Sequence, residues 1–123
     1  MQLRTARIFV RDLPSASRFY EEILGLPLKA NGSEQGFCVF DVGATSLVVE
    51  HVDTDAPAED QVLVGRFTGL SFDVADIHSK VRELSTLGVA FTGLPERQGW
   101  GGILATLRDP AGNELQLVQQ PVG

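Results

Sequence analysis

The strongest constraint on this chain is that it repeats itself. Val10-x-Asp12-Leu13 returns as Val74-x-Asp76-Ile77, 64 positions later, and Leu24-Gly25 returns as Leu87-Gly88, 63 positions later. Each copy couples a helix-capping aspartate to a glycine stop across intervals that differ by one residue, and repeats of this length are usually structural duplications. In the first copy Ala16, Phe19, Tyr20 and Ile23 recur at i, i+3, i+4 and i+7, the apolar stripe of an amphipathic helix. Pro14 falls in its first turn, where a missing N–H costs nothing. In the second copy Ile77, Val81, Leu84 and Leu87 supply the stripe.

Strand patterns flank both helices. Arg4 to Val10 precedes the first. Leu26 to Ala30, Phe37 to Val42 and Ser46 to Val52 follow it, with turns expected at 31–33 and at Gly43-Ala44. Leu70 to Val74 precedes the second helix, and Val89 to Phe91 follows it. Then come Leu104 to Leu107 and Leu115 to Val118, folded together by Asp109-Pro110-Ala111-Gly112-Asn113. There proline presets φ, glycine accepts positive φ, and the aspartate is able to bond the turn backbone. The expected fold class is α+β, two tandem βαβββ modules in one domain. Module 1 is expected at about 1–52 and module 2 at about 66–121. Between them Asp53 to Asp60, rich in acids, reads as a solvated linker, and Gln61 to Val64 as a short extended piece.

Of the 123 residues, 43% are hydrophobic and 21% charged, an ordinary globular composition. The net charge of −6 argues against nucleic acid as a partner, because a phosphate backbone asks for a basic surface. No apolar run is long enough for a membrane helix, and no signal-peptide pattern opens the chain. Cys38 is the only cysteine, which excludes an intrachain disulfide and fits a reducing cytoplasm. Lying in an apolar strand, it reads as a small buried hydrophobe rather than a nucleophile.

Val10-x-Asp12-Leu13 through Phe19-Tyr20 to Leu24-Gly25, with Asp109-Pro110-x-Gly112-Asn113 and Leu115-x-Leu117, resembles the vicinal oxygen chelate superfamily. This is the fold of glyoxalase I, extradiol dioxygenases, and fosfomycin- and bleomycin-resistance proteins. The resemblance implies two βαβββ modules whose sheets curl around a cleft, in a homodimer. It also implies four metal-ligand positions, which fall on Thr5, Glu50, Gly69 or its neighbour Thr68, and Gln116. Only Glu50 and Gln116 carry side chains suited to a divalent ion, and a catalytic metal typically asks for about three protein ligands. The chain is therefore nearest to the metal-free, bleomycin-resistance-like members, with no cofactor expected.

Strand alternation extends the expected cleft from those positions. Thr5, Arg7 and Phe9 share one face. Glu50 goes with Val48 and Val52, Ser71 and Asp73 with Gly69, and Gln116 with Glu114 and Val118. The resemblance adds Trp100, set among Gly99, Gly101 and Gly102, as a residue lining or gating the cleft. The expected ligand-binding set is Thr5, Arg7, Phe9, Glu50, Ser71, Asp73, Trp100 and Gln116. His51 follows Glu50 and is expected on the opposite face, and His78 falls in the first turn of the second helix.

The function expected is binding of a small molecule, cationic or aromatic, in a metal-free cleft. The alternative is an enzyme on this scaffold, a lyase, isomerase or dioxygenase. It would use an atypical metal site or Glu50 as general base, although the sequence shows no partner for that carboxylate.

Overall fold

The computed structural model describes residues 1–122. The chain divides into two compact units. One is Met1–Arg66 with Pro110–Asn113; the other is Phe67–Asp109 with the chain from Glu114 onward.

The first unit holds β1 (Thr5–Val10), α1 (Leu13–Arg18), β2 (Leu28–Gly32), β3 (Phe37–Asp41), β4 (Ser46–His51) and a four-residue helix α2 (Ala58–Gln61). Its sheet runs β1-β4-β3-β2, parallel between β1 and β4 and antiparallel elsewhere. The second unit holds β5 (Phe67–Asp73), α3 (Ile77–Thr86), β6 (Ala90–Arg97), β7 (Ile103–Arg108) and β8 (Glu114–Gln119). Its sheet runs β5-β8-β7-β6 with the same pattern of directions. The repeat in sequence is thus a repeat in topology: an α+β fold with two tandem βαβββ modules.

Both helices start where the repeat predicts. Asp12 Oδ1 accepts the backbone N–H of Ser15 at 3.1 Å, and Asp76 Oδ1 that of Ser79 at 3.2 Å. Both stop at a glycine of positive φ, Gly25 at 72° and Gly88 at 90°. The first helix is not uniform. After Arg18 it widens into a π-type turn over Phe19–Ile23, where Leu24 N–H reaches the carbonyl of Phe19. Phe19 and Tyr20 are buried there edge to face, ring centroids 5.2 Å apart, and Tyr20 meets Phe40 at 6.0 Å.

The inward strand positions close each core. Ile8, Val10, Leu47 and Val49 are buried in the first unit, and Ala105, Leu107, Leu115 and Leu117 in the second. α3 packs Ile77, Val81 and Leu84 on its sheet. Each buried Val, Leu or Ile side chain among these contributes roughly 1.5–3 kcal/mol. Leu87 does not join them; it caps the helix and is exposed, because the helix ends one residue before it. Cys38 is buried, within reach of the Ser17 hydroxyl and the Asn31 side chain.

Three further local expectations are corrected. The strand β2 continues through Asn31 and Gly32, and the turn follows at Ser33–Gln35, held by Gly36 N–H to the Ser33 carbonyl. The acidic stretch ends in α2, so Gln61 is helical rather than extended; Val64 alone bridges to Phe9. β6 runs to Arg97, six residues past the expected Phe91, through two register shifts that flank Gly93, the second spanning Pro95. Among the described residues no helix is long and apolar enough to cross a membrane.

Candidate functional site

In the first unit, β1 and β4 lie side by side in parallel, with Arg7 opposite Val48 and Phe9 opposite Glu50. Arg7 and Glu50 are therefore diagonal neighbours on the face away from the core, within reach of long side chains. The guanidinium meets the carboxylate side-on, Nε to Oε1 and Nη2 to Oε2, both at 2.8 Å. It also lies over the Phe9 ring, 5.0 Å from the centroid. The Glu50 hydrogen bond, and then its charge, hold the Arg7 pKa above its ordinary value. The partner of Glu50 that the sequence does not show is thus Arg7, and both carboxylate oxygens are engaged.

The pair lines a cavity of about 420 Å³ together with Phe9, His51, Asp53 and Asp60. His51 was expected to face away from Glu50. It borders this cavity and a second one, of about 400 Å³, shared with Arg11, Asp12 and Ser33. It stands at the last position of β4, and its Nε2 lies 3.1 Å from Asp53 Oδ1. Gln61 fastens the acidic stretch. Its amide donates to the carbonyls of Asp53 at 2.6 Å and Ala56 at 3.3 Å, and its Oε1 accepts from Arg11 Nη2 at 2.7 Å. Asp53 and Asp60 are therefore part of a cavity wall rather than of a free linker. Sequence alternation could not find them, because they follow the strand; the only signal was an excess of acids.

In the second unit, Ser71 and Gln116 are register partners on β5 and β8, and Gln116 Nε2 donates to the Thr106 hydroxyl at 3.3 Å. Asp73 accepts from Gln120 at 3.0 Å, and Glu114 from the Thr92 hydroxyl at 2.7 Å. Between Phe67 and Ser71 the β5–β8 register slips. Gly69 sits in that irregularity at φ 75°, and the Thr68 hydroxyl donates to the Glu114 carbonyl at 2.8 Å. Trp100 is 55% exposed in the turn before β7, so it does not plug the core. His78 is exposed on α3.

At the positions the resemblance implies for a divalent ion, the first unit offers the Glu50 carboxylate, already bound by a guanidinium, and the Thr5 hydroxyl. The second offers the Gln116 amide and a Thr68 hydroxyl turned to backbone. No three His, Cys, Asp or Glu side chains gather as they would around a metal, among the described residues.

Two repeated sheets, each pairing its first and last strands in parallel, define a duplicated α+β scaffold. The chain belongs to the Glyoxalase/Bleomycin resistance protein/Dioxygenase superfamily, whose model matches residues 2–117. It is 31% identical to the uncharacterized protein YurT of Bacillus subtilis (strain 168), over 98% of this chain and 100% of that one. Among solved structures it is similar to TnmS3, an antibiotic binding protein from Streptomyces sp. CB03234: 28% identity, TM-score 0.77, covering 99% and 97% of the two chains. The lactoylglutathione lyase of Agrobacterium tumefaciens shares the fold, at 20% identity and TM-score 0.77, over 96% of this chain and 92% of that one.

Proposed function

We propose that this protein binds a small organic molecule without a metal, with the β1–β4 cavity as its principal site. The observation that carries this is the bidentate Arg7–Glu50 pair. The one carboxylate at a family metal-ligand position is neutralised by a guanidinium, and the pair faces a cavity of about 420 Å³. That volume lies within the roughly 300–1,000 Å³ usual for small-molecule sites. Thr5, Arg7, Phe9 and Glu50 are the contacts proposed on the first sheet. Ser71, Asp73 and Gln116, with Trp100, are proposed as a binding face on the second. The similarity to an antibiotic binding protein supports this reading over an enzymatic one, and so does the engagement of both Glu50 oxygens, which leaves no free general base at that position.

The protein is proposed to act as a homodimer in the cytoplasm. Phe67 and Leu94, both more than half exposed on the second unit, are surfaces a partner copy would cover.

Two measurements test the function together. Elemental analysis of protein purified without chelators is expected to find no stoichiometric zinc, nickel, iron or manganese. A thermal-shift screen of metals, cationic antibiotics and small metabolites is expected to stabilise the protein with an organic molecule and with no metal. Close to one metal per chain, lost on Glu50→Ala, overturns the proposal in favour of a metalloenzyme.

A further inference from the structure

Resting on the proposed binding function, we infer that the β1–β4 cavity selects amino-acid-like zwitterions, taking a ligand carboxylate on Arg7 and a ligand ammonium on the acidic wall.

A guanidinium has two edges that present paired N–H groups. Glu50 takes the edge formed by Nε and Nη2. The end formed by Nη1 and Nη2 keeps two parallel donors, spaced for the two oxygens of a carboxylate. No other described group hydrogen-bonds to Arg7, and its side chain is 56% exposed, so that end is open to a ligand. Its direction is set in advance. Glu50 fixes one edge, and Phe9 lies against the plane at 5.0 Å. A ligand carboxylate would meet a guanidinium that is already ordered, with little side-chain entropy left to lose.

The rest of the wall has the opposite sign. Asp53 and Asp60 line the same cavity as Glu50, and Glu50 keeps a second lone pair on each oxygen. The only other titratable group there is His51, whose Nε2 lies on Asp53. Three carboxylates and one guanidinium line the cavity, and only Glu50 of the three is paired with Arg7. A purely anionic ligand reaches Arg7 only against that field, and a purely cationic one leaves the open guanidinium edge unused. A molecule carrying both charges a few bonds apart satisfies both walls.

Ligand-observed saturation-transfer NMR with three matched probes tests this: L-phenylalanine, L-phenylalaninamide and N-acetyl-L-phenylalanine. The amide lacks the carboxylate and the acetyl derivative lacks the ammonium. Phenylalanine is expected to bind, and each derivative to bind roughly tenfold or more weakly, the scale of one charged hydrogen-bonded contact. Arg7→Lys keeps the charge and removes the fork. It is expected to weaken phenylalanine to the level of the amide and to leave the amide unchanged, with an unaltered melting temperature.

Equal or tighter binding of either derivative overturns the inference, as does Arg7→Lys weakening all three alike. Failure of all three probes also overturns it. The binding function then survives only if the wider screen yields a different molecule whose binding Arg7→Lys abolishes; otherwise both fall.

Discussion

The indole of Trp100 occupies the space that a side chain at Gly102 would need: a Cβ built there collides with the six-membered ring. The glycine is buried while the tryptophan above it is more than half exposed, so the ring rests on the backbone as a lid rests on a sill. Gly102→Ala is expected to displace the indole and shift its fluorescence, which Trp100 alone supplies. Trp100→Ala is expected to cost about 1 kcal/mol or less, because a half-exposed side chain has little burial to lose. In the Trp100→Ala background, Gly102→Ala should be far better tolerated. A double-mutant cycle by denaturation checks the coupling.

Removing either member of the Arg7–Glu50 pair should barely touch stability. With side chains 56% and 27% exposed, the pair contributes about 1 kcal/mol or less. Glu50→Gln and Arg7→Gln are expected to melt close to the parent protein, and to differ from it sharply in binding whatever ligand the screen finds. A large loss of stability from either would mark the pair as structural.

Asn113 behaves in the opposite way. Fully buried, it accepts from the N–H groups of Gly65 at 2.8 Å and Arg66 at 3.2 Å, and donates to the Phe9 carbonyl at 2.9 Å. Asn113→Ala strands these backbone groups and is expected to cost about 2–4 kcal/mol. Asn113→Asp keeps the shape and both acceptor contacts, but sets a carboxylate oxygen against the Phe9 carbonyl. It should also destabilise, more at neutral than at acid pH. Urea unfolding monitored at Trp100 reads both.

Asp76 gives the fold an acid-sensitive element. Hydrogen bonds from the Ser79 backbone and hydroxyl, with smaller help from Arg82, hold its pKa below the ordinary carboxylate value. Its folded pKa is below its unfolded one, so its contribution is fully present above the unfolded value. It is lost as pH falls through the folded value. Asp76→Ala is expected to lower the melting temperature at neutral pH, and the difference from the parent should vanish toward strongly acid pH. A difference that persists unchanged into acid would show that the carboxylate charge plays no part in the cap.

The elements legible in the sequence are those whose causes are local. Asp12 and Asp76 are capping residues whose bonds lie three positions on, and the Ile8/Val10 and Leu115/Leu117 alternations follow from the pleat. Arg7, Phe9 and Glu50 were placed on one face by the same alternation. The Arg7–Glu50 bond itself was not legible, because it depends on the β1–β4 register across 43 positions. Asp53, Asp60 and Gln61 were hidden for a related reason. Their placement depends on a four-residue helix and on loop carbonyls, which carry no periodicity to read. The slip at Gly69 likewise interrupts alternation where a metal-ligand position was expected.

The four residues Pro110–Asn113 belong to the first compact unit although Phe67–Asp109 of the second separates them in sequence from the rest of it. A protein emerging from the ribosome normally completes its N-terminal part first. Here β1 waits for Asn113, 104 residues later, before the Phe9 carbonyl and the Gly65 and Arg66 amides receive their partner. The nascent first unit is therefore a docking platform with a vacancy, and the closing turn is the latch that arrives last. A chain stopped anywhere before that turn is expected to lack the partner of these three backbone groups, and so to leave its first unit incomplete.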